Sequence, residues 1–129
     1  MVVPKLPADP DSALFCYALT EDAWVVWGAV SNGGIVVRWA GDALAPECAA
    51  NPKAPAADEQ LLELASTVPA GNNGLVMLPY LLSERGPQWN PDLPGACLGL
   101  RREHARAHLV RGAVEGVCLQ LSRVHRIGR

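Results

Sequence analysis

Val68-Pro69-Ala70-Gly71-Asn72-Asn73-Gly74-Leu75-Val76-Met77-Leu78-Pro79-Tyr80-Leu81-Leu82-Ser83-Glu84-Arg85 is the stretch from which the rest of the chain is read. Its Gly/Asn turn leads into an apolar run, residues 75 to 78, short enough for a buried strand. Pro79 ends that run, because proline cannot donate to a sheet ladder. Residues 83 to 94 follow with three prolines, two acids, Arg85 and Trp89, the composition of an ordered surface excursion. A second apolar run covers residues 96 to 100, and from about Glu103 the spacing becomes helical. Val110, Ala113, Val114, Val117, Leu121 and Val124 then form one stripe, which predicts a long helix over about 104 to 125 packed on a sheet.

The ordered residues Pro69, Gly71, Gly74-Leu75, Leu78-Pro79-Tyr80-Leu81, Glu84-Arg85-x-Pro87-x-Trp89-Asn90, Gly95, Gly99-Leu100, His104, Arg106, His108-Leu109, Arg111 and Glu115-Gly116 carry a resemblance. Together they resemble the C-terminal domain of the FGGY carbohydrate kinases, and within them the gluconokinase branch. The second half follows that family's second signature: Gly-aliphatic, seven residues, then His-Leu opening a helix that carries an acid seven residues on. Cys97, Gly112 and Pro94 depart from the usual pattern. A glycine inside a helix costs about 1 kcal/mol against alanine, so Gly112 is expected to weaken this copy. Upstream, Phe15-Cys16-Tyr17-Ala18-Leu19-Thr20-Glu21, Trp24-Val25 and Ser31-Asn32-Gly33-Gly34 are similar to the matching segment of bacterial gluconokinases. There Trp27 replaces a common glycine, and its ring is expected to force a local adjustment or to stand exposed.

A chain of 129 residues, half of them apolar, has enough material for one core. No run approaches the ~20 apolar residues of a membrane span, and residues 1 to 10 hold Pro4, Pro7, Asp9 and Pro10 instead of a signal pattern. Cys16, Cys48, Cys97 and Cys118 are widely spaced and read as reduced, mostly buried thiols of a cytoplasmic protein, with no zinc spacing. Net charge is −2, but the charge is uneven. Residues 101 to 129 carry seven Arg against two Glu, while residues 1 to 100 carry four Lys/Arg against eleven Asp/Glu. No aromatic residue follows Trp89 to stack on a base, so the basic end reads as a solvated helix face with cations in its last turn.

In chain order, residues 1 to 4 enter as if in mid-strand, and Pro4, Pro7 and Pro10 with Asp9 and Asp11 form an extended or turning segment. Residues 14 to 18 and 24 to 27 are β-rich runs around Thr20-Glu21-Asp22, an antiparallel hairpin. Ser31-Asn32-Gly33-Gly34 opens a helix over residues 35 to 44, with Ser and Asn as N-caps and glycines that let a ligand approach the backbone. By itself that turn is a weak phosphate signal, since it lacks the spacing of a Walker or dinucleotide loop. Residues 46 to 57 read as a Pro/Ala/Asn loop, and 58 to 65 as a short packing helix with acids in its first turn. Glu84 and Arg85 could be an acid and an anion clamp, but the resemblance implies that the pair braces the loop after the strand. His104 and His108 are spaced for a metal, but with no third ligand they read as capping or packing residues.

The resemblance implies an α/β fold: part of an actin-like, ribonuclease H-like ATPase domain, with a mixed sheet, an N-terminal hairpin and a long C-terminal helix. Residues 1 to 129 correspond to an incomplete C-terminal domain. It further implies ATP and Mg²⁺ as cofactors of the intact enzyme and gluconate as the sugar, with xylulose or glycerol as alternatives. Gly34 and Arg38 inherit a place beside the nucleotide. The family's catalytic aspartate, most sugar contacts, its Gly-Thr-Ser-Gly phosphate loop and its Gly-Gly-Gly adenosine motif have no counterpart here, so no catalytic residue is assigned. Two readings stay open. The chain is a piece of a gluconate kinase, inactive by itself, or a non-catalytic module that binds or self-associates through uncovered apolar surface.

Overall fold

A computed structural model of the chain describes residues 1–5, 14–50 and 57–127. The turning segment read beyond Lys5 and the loop positions 51–56 lie outside them. The described residues gather into two units, one from Met1–Ser31, Leu82–Leu93 and Leu119–Arg129, the other from Asn32–Leu81 and Pro94–Cys118.

The first unit is built on strands β1 (Val2–Val3), β2 (Phe15–Thr20) and β3 (Ala23–Trp27), in the order β1-β3-β2 and antiparallel throughout. The hairpin expected around Glu21 and Asp22 is present, with Phe15 opposite Trp27 and a register shift between Ala18 and Thr20. Trp27 is exposed, and its ring stacks on Phe15 with centroids 4.8 Å apart. From Cys16 to Thr20 every residue of β2 is exposed.

In the second unit, helix α1 (Gly34–Leu44) is followed by α2 (Pro46–Ala50) and α3 (Ala57–Ser66). The loop expected at 46 to 57 is thus helical over its first five residues. Proline at a first helical position has the right φ, Glu47 lies in the first turn and alanines follow, so composition alone hid a good helix start. A 3-10 turn, Asn72–Gly74, leads into β4 (Val76–Leu78), which pairs antiparallel with β5 (Ala96–Leu98). In place of one mixed sheet, the described strands form two antiparallel ones. The core of this unit joins Val36 and Ala40 of α1, Ala45, Leu61 and Ala65 of α3, and Met77 of β4 to Val110 and Ala113.

The last two belong to α4 (Arg106–Ile127), whose later residues, from Leu119 on, fall in the first unit. Its buried stripe runs Val110, Ala113, Gly116 and Gln120, with Val117 and Val124 half-buried. Leu121, expected on that stripe, is 52% exposed, and Gln120 takes the inward position because its amide donates to Glu84 Oε2 at 2.7 Å. The cysteines also correct the sequence reading. Cys16, Cys97 and Cys118 are exposed and only Cys48 is half-buried, because the first three sit on outward positions of β2, β5 and α4.

Candidate functional site

α1 begins without a side-chain cap. Gly33 is its N-cap residue, and the Ser and Asn expected there are used elsewhere. Asn32 is fully buried, and its Oδ1 accepts the backbone N–H of Leu81 at 2.9 Å, tying the turn to the end of the β4 segment. Ser31 Oγ lies 3.2 Å from Arg85 Nε. A Cβ built at Gly33 or Gly34 would meet nothing within 4 Å, so there is free space beside this turn. Amides at a helix start carry the positive end of the helix dipole and suit an anion.

Four residues along α1, Arg38 is exposed and lines a cleft of about 240 Å³ with Val37, Gly41, Asp42, Cys48, Asp58 and Leu61. Gly34, Arg38 and Asp42 follow i, i+4, i+8 spacing, which puts them on one helix face. That spacing could have announced Asp42 from the sequence. Cys48 and Asp58 arrive only because α2 and α3 fold back on α1, which no local pattern signals. The cleft therefore offers one guanidinium, two carboxylates and an apolar floor.

The other candidates are structural. Glu84 is buried, accepting from Gln120 Nε2 and from the Arg85 N–H at 3.1 Å, and so braces its loop as expected. Glu115 Oε1 accepts the Gly71 N–H at 3.1 Å and Arg111 Nε at 2.7 Å, which fixes the turn before β4 to α4. His104 Nδ1 accepts the Arg101 N–H at 2.9 Å and His108 Nδ1 the Ala105 N–H at 3.0 Å. Through these two bonds both rings cap the approach to α4. Among the described residues no group of three or more His, Cys, Asp or Glu is placed to hold a metal.

Comparison with known proteins gives these features a context. Residues 1–127 match the family described as "FGGY family of carbohydrate kinases, C-terminal domain". A gluconokinase of Bacillus licheniformis is 43% identical over 122 residues, which is 93% of this chain and 24% of that protein. Two Lactobacillus acidophilus crystal structures superpose on 98% of this chain and 24% of theirs, each at 32% identity. They are a ligand-bound xylulose kinase with a TM-score of 0.84 and a gluconate kinase with 0.82. The chain spans about a quarter of the length of these relatives.

Proposed function

The chain belongs to the FGGY family of carbohydrate kinases, within the C-terminal domain, and from that premise we propose that it is the part of an ATP-dependent gluconate kinase that forms one wall of the nucleotide site. The observation that carries the choice of sugar is the 43% identity to a gluconokinase. Gly34 and Arg38 are assigned to the nucleotide, the amides of the Gly33-Gly34 turn facing phosphate oxygens and the Arg38 guanidinium adding a second donor set beside them. The open space at the two glycines and the cleft beside Arg38 fit such a ligand. In the intact enzyme a bound Mg²⁺ would supply neutralisation of the charge that develops on the phosphates. This chain positions the nucleotide, and its buried or tied carboxylates, Glu84 and Glu115, serve structure.

The test is a graft. These 129 residues replace the matching quarter of the Bacillus licheniformis gluconokinase, and ADP formation is followed with gluconate and with xylulose. Gluconate turnover is expected to survive. Arg38→Ala in the graft raises KM for ATP several-fold and leaves KM for gluconate unchanged. The isolated 129-residue chain is expected to show no turnover with Mg-ATP and gluconate. Turnover that scales with its concentration would overturn the assignment of catalysis to residues outside it.

One observation favours a second reading in the xylulose direction: the xylulose kinase structure superposes slightly better than the gluconate kinase. A graft that phosphorylates xylulose in preference to gluconate decides for it. The exposed apolar residues of β2 and β3, Tyr17, Leu19 and Trp27, support self-association of the isolated chain.

A further inference from the structure

We propose that Asn73 is a self-modification site: its carboxamide is lost as ammonia through a succinimide formed with Gly74, assisted by the imidazole of His108, and water then leaves an aspartyl or isoaspartyl residue in the turn before β4. None of the residues assigned to the nucleotide takes part.

Asparagine is chemically labile, and the route depends on the residue that follows it. The next backbone nitrogen must give up its hydrogen to attack Cγ, and a side chain on that residue hinders the approach. The chain has five asparagines. Asn51 and Asn90 precede proline, whose nitrogen has no hydrogen. Asn72 precedes Asn73 and is fully buried, its Nδ2 committed to the carbonyls of Leu75 and His108. Asn32 precedes Gly33, but it too is fully buried, and its Oδ1 accepts the Leu81 N–H at 2.9 Å. Asn73 alone precedes glycine from an exposed position, and a Cβ built at Gly74 would meet nothing within 4 Å, so the nucleophile is unhindered.

The fold brings a proton donor to this pair. Asn72 Nδ2 donates to His108 O at 2.9 Å, and His108 Nδ1 accepts the Ala105 N–H at 3.0 Å. These bonds hold the ring against the turn, with its Nε2 3.3 Å from Asn73 Nδ2. A ring nitrogen at that distance can polarise the carboxamide or deliver a proton to the departing nitrogen. In the reaction Gly74 N bonds to Asn73 Cγ, the Cγ–Nδ2 bond breaks, and Nδ2 leaves as ammonia with the hydrogen that Gly74 N gives up. Water then opens the ring at either carbonyl, so one water is consumed, one ammonia is released and nothing is oxidised or reduced. One bond opposes the attack, from Gly74 N–H to Gly71 O at 2.9 Å. Both residues are exposed, so the reaction waits on local opening of that turn. Isoaspartate lengthens the main chain where there is little slack, since a Cβ at Gly99 would stand only 2.5 Å from Gly74 O.

The experiment is incubation of the folded 129-residue chain for days near neutral pH in heavy-oxygen water, followed by digestion and electron-transfer mass spectrometry, which separates aspartyl from isoaspartyl peptides. Asn73 is expected to take up heavy oxygen several-fold faster than Asn32. Asn32 converting as fast, or Asn73 staying intact in the folded chain while it converts in the urea-unfolded one, overturns the site. In His108→Gln, conversion at Asn73 is expected to slow several-fold. Glutamine at the third helical position still reaches the Ala105 N–H, but it has no proton to exchange, and circular dichroism checks the fold. His104→Gln leaves the contact of His108 with Asn73 in place and should keep the unaltered rate. Conversion as fast in His108→Gln as in the unaltered chain, or slowed equally in His104→Gln, overturns the part given to His108.

Discussion

At the scale of single residues, the turn before β4 is the most constrained place in the chain. Gly71, Asn72, Asn73 and Gly74 all have positive φ, at 83°, 50°, 51° and 85°. Asn72 sits fully buried in this left-handed run, and its Nδ2 donates to Leu75 O at 3.0 Å and to His108 O at 2.9 Å. Asparagine tolerates that conformation and closes the turn with its own side chain. Asn72→Ala is therefore expected to cost about 2 kcal/mol or more in denaturant unfolding, since two buried carbonyls lose their donor. Asn72→Gly, which relieves the backbone but restores neither bond, should stay well below the unaltered protein. Recovery with glycine would show that only the backbone mattered. The same asparagine explains Gly112. A Cβ there would lie 3.1 Å from the Asn72 amide nitrogen, which its two bonds hold in place. Gly112 is thus a packing requirement, and Gly112→Ala is expected to lower stability despite alanine's better helix propensity. Gly116→Ala should cost more, about 1–3 kcal/mol, because its Cβ would stand 2.6 Å from the backbone oxygen of Met77.

At the scale of elements, α4 shows how a polar contact sets which side of a helix turns inward. Gln120→Leu removes the 2.7 Å donor to the buried Glu84 carboxylate and is expected to cost about 1–3 kcal/mol. Leu121→Gln, on the exposed side, should stay within about 0.5 kcal/mol. Thermal or denaturant unfolding of the two variants reads the difference, and the opposite order would place the stripe where the sequence pattern had it. α2 is tied to the start of α4 by the ion pair of Glu47 with Arg106. The Glu47 carboxyl is held below its ordinary value, first by a backbone N–H of its own helix start and then by Arg106. A carboxyl depressed in the folded state stabilises above its ordinary range, and that contribution is lost as pH falls through the folded value. Both partners are well exposed, so the effect is small. In Arg106→Gln, the Glu47 titration followed by NMR should move up but remain below the ordinary value, because the backbone bond survives.

At the scale of the whole molecule, apolar exposure is the expected source of behaviour. Tyr17, Leu19 and Trp27 of the first sheet are 55%, 60% and 42% exposed, and β2 carries no charge or proline to discourage edge pairing. Size-exclusion chromatography of the 129-residue chain is expected to give a dimer or larger species, and Leu19→Lys should shift it toward monomer. Elution as a monomer at high concentration would remove the case for self-association.

The sequence by itself determined the family, the hairpin, three of the four helices among the described residues, and both short strands around the Pro-rich excursion. Each of these is written in a local pattern: period-two runs, helical stripes, prolines that end strands and glycines where backbone must turn. Only the tertiary structure decided that Asn32 ties the turn instead of capping the helix, that Gln120 displaces Leu121 inward, and that Asp42, Cys48 and Asp58 share a cleft with Arg38. Those outcomes depend on partners distant in the chain. A buried donor or acceptor takes whichever group folding brings within reach, and no spacing along the sequence encodes that choice.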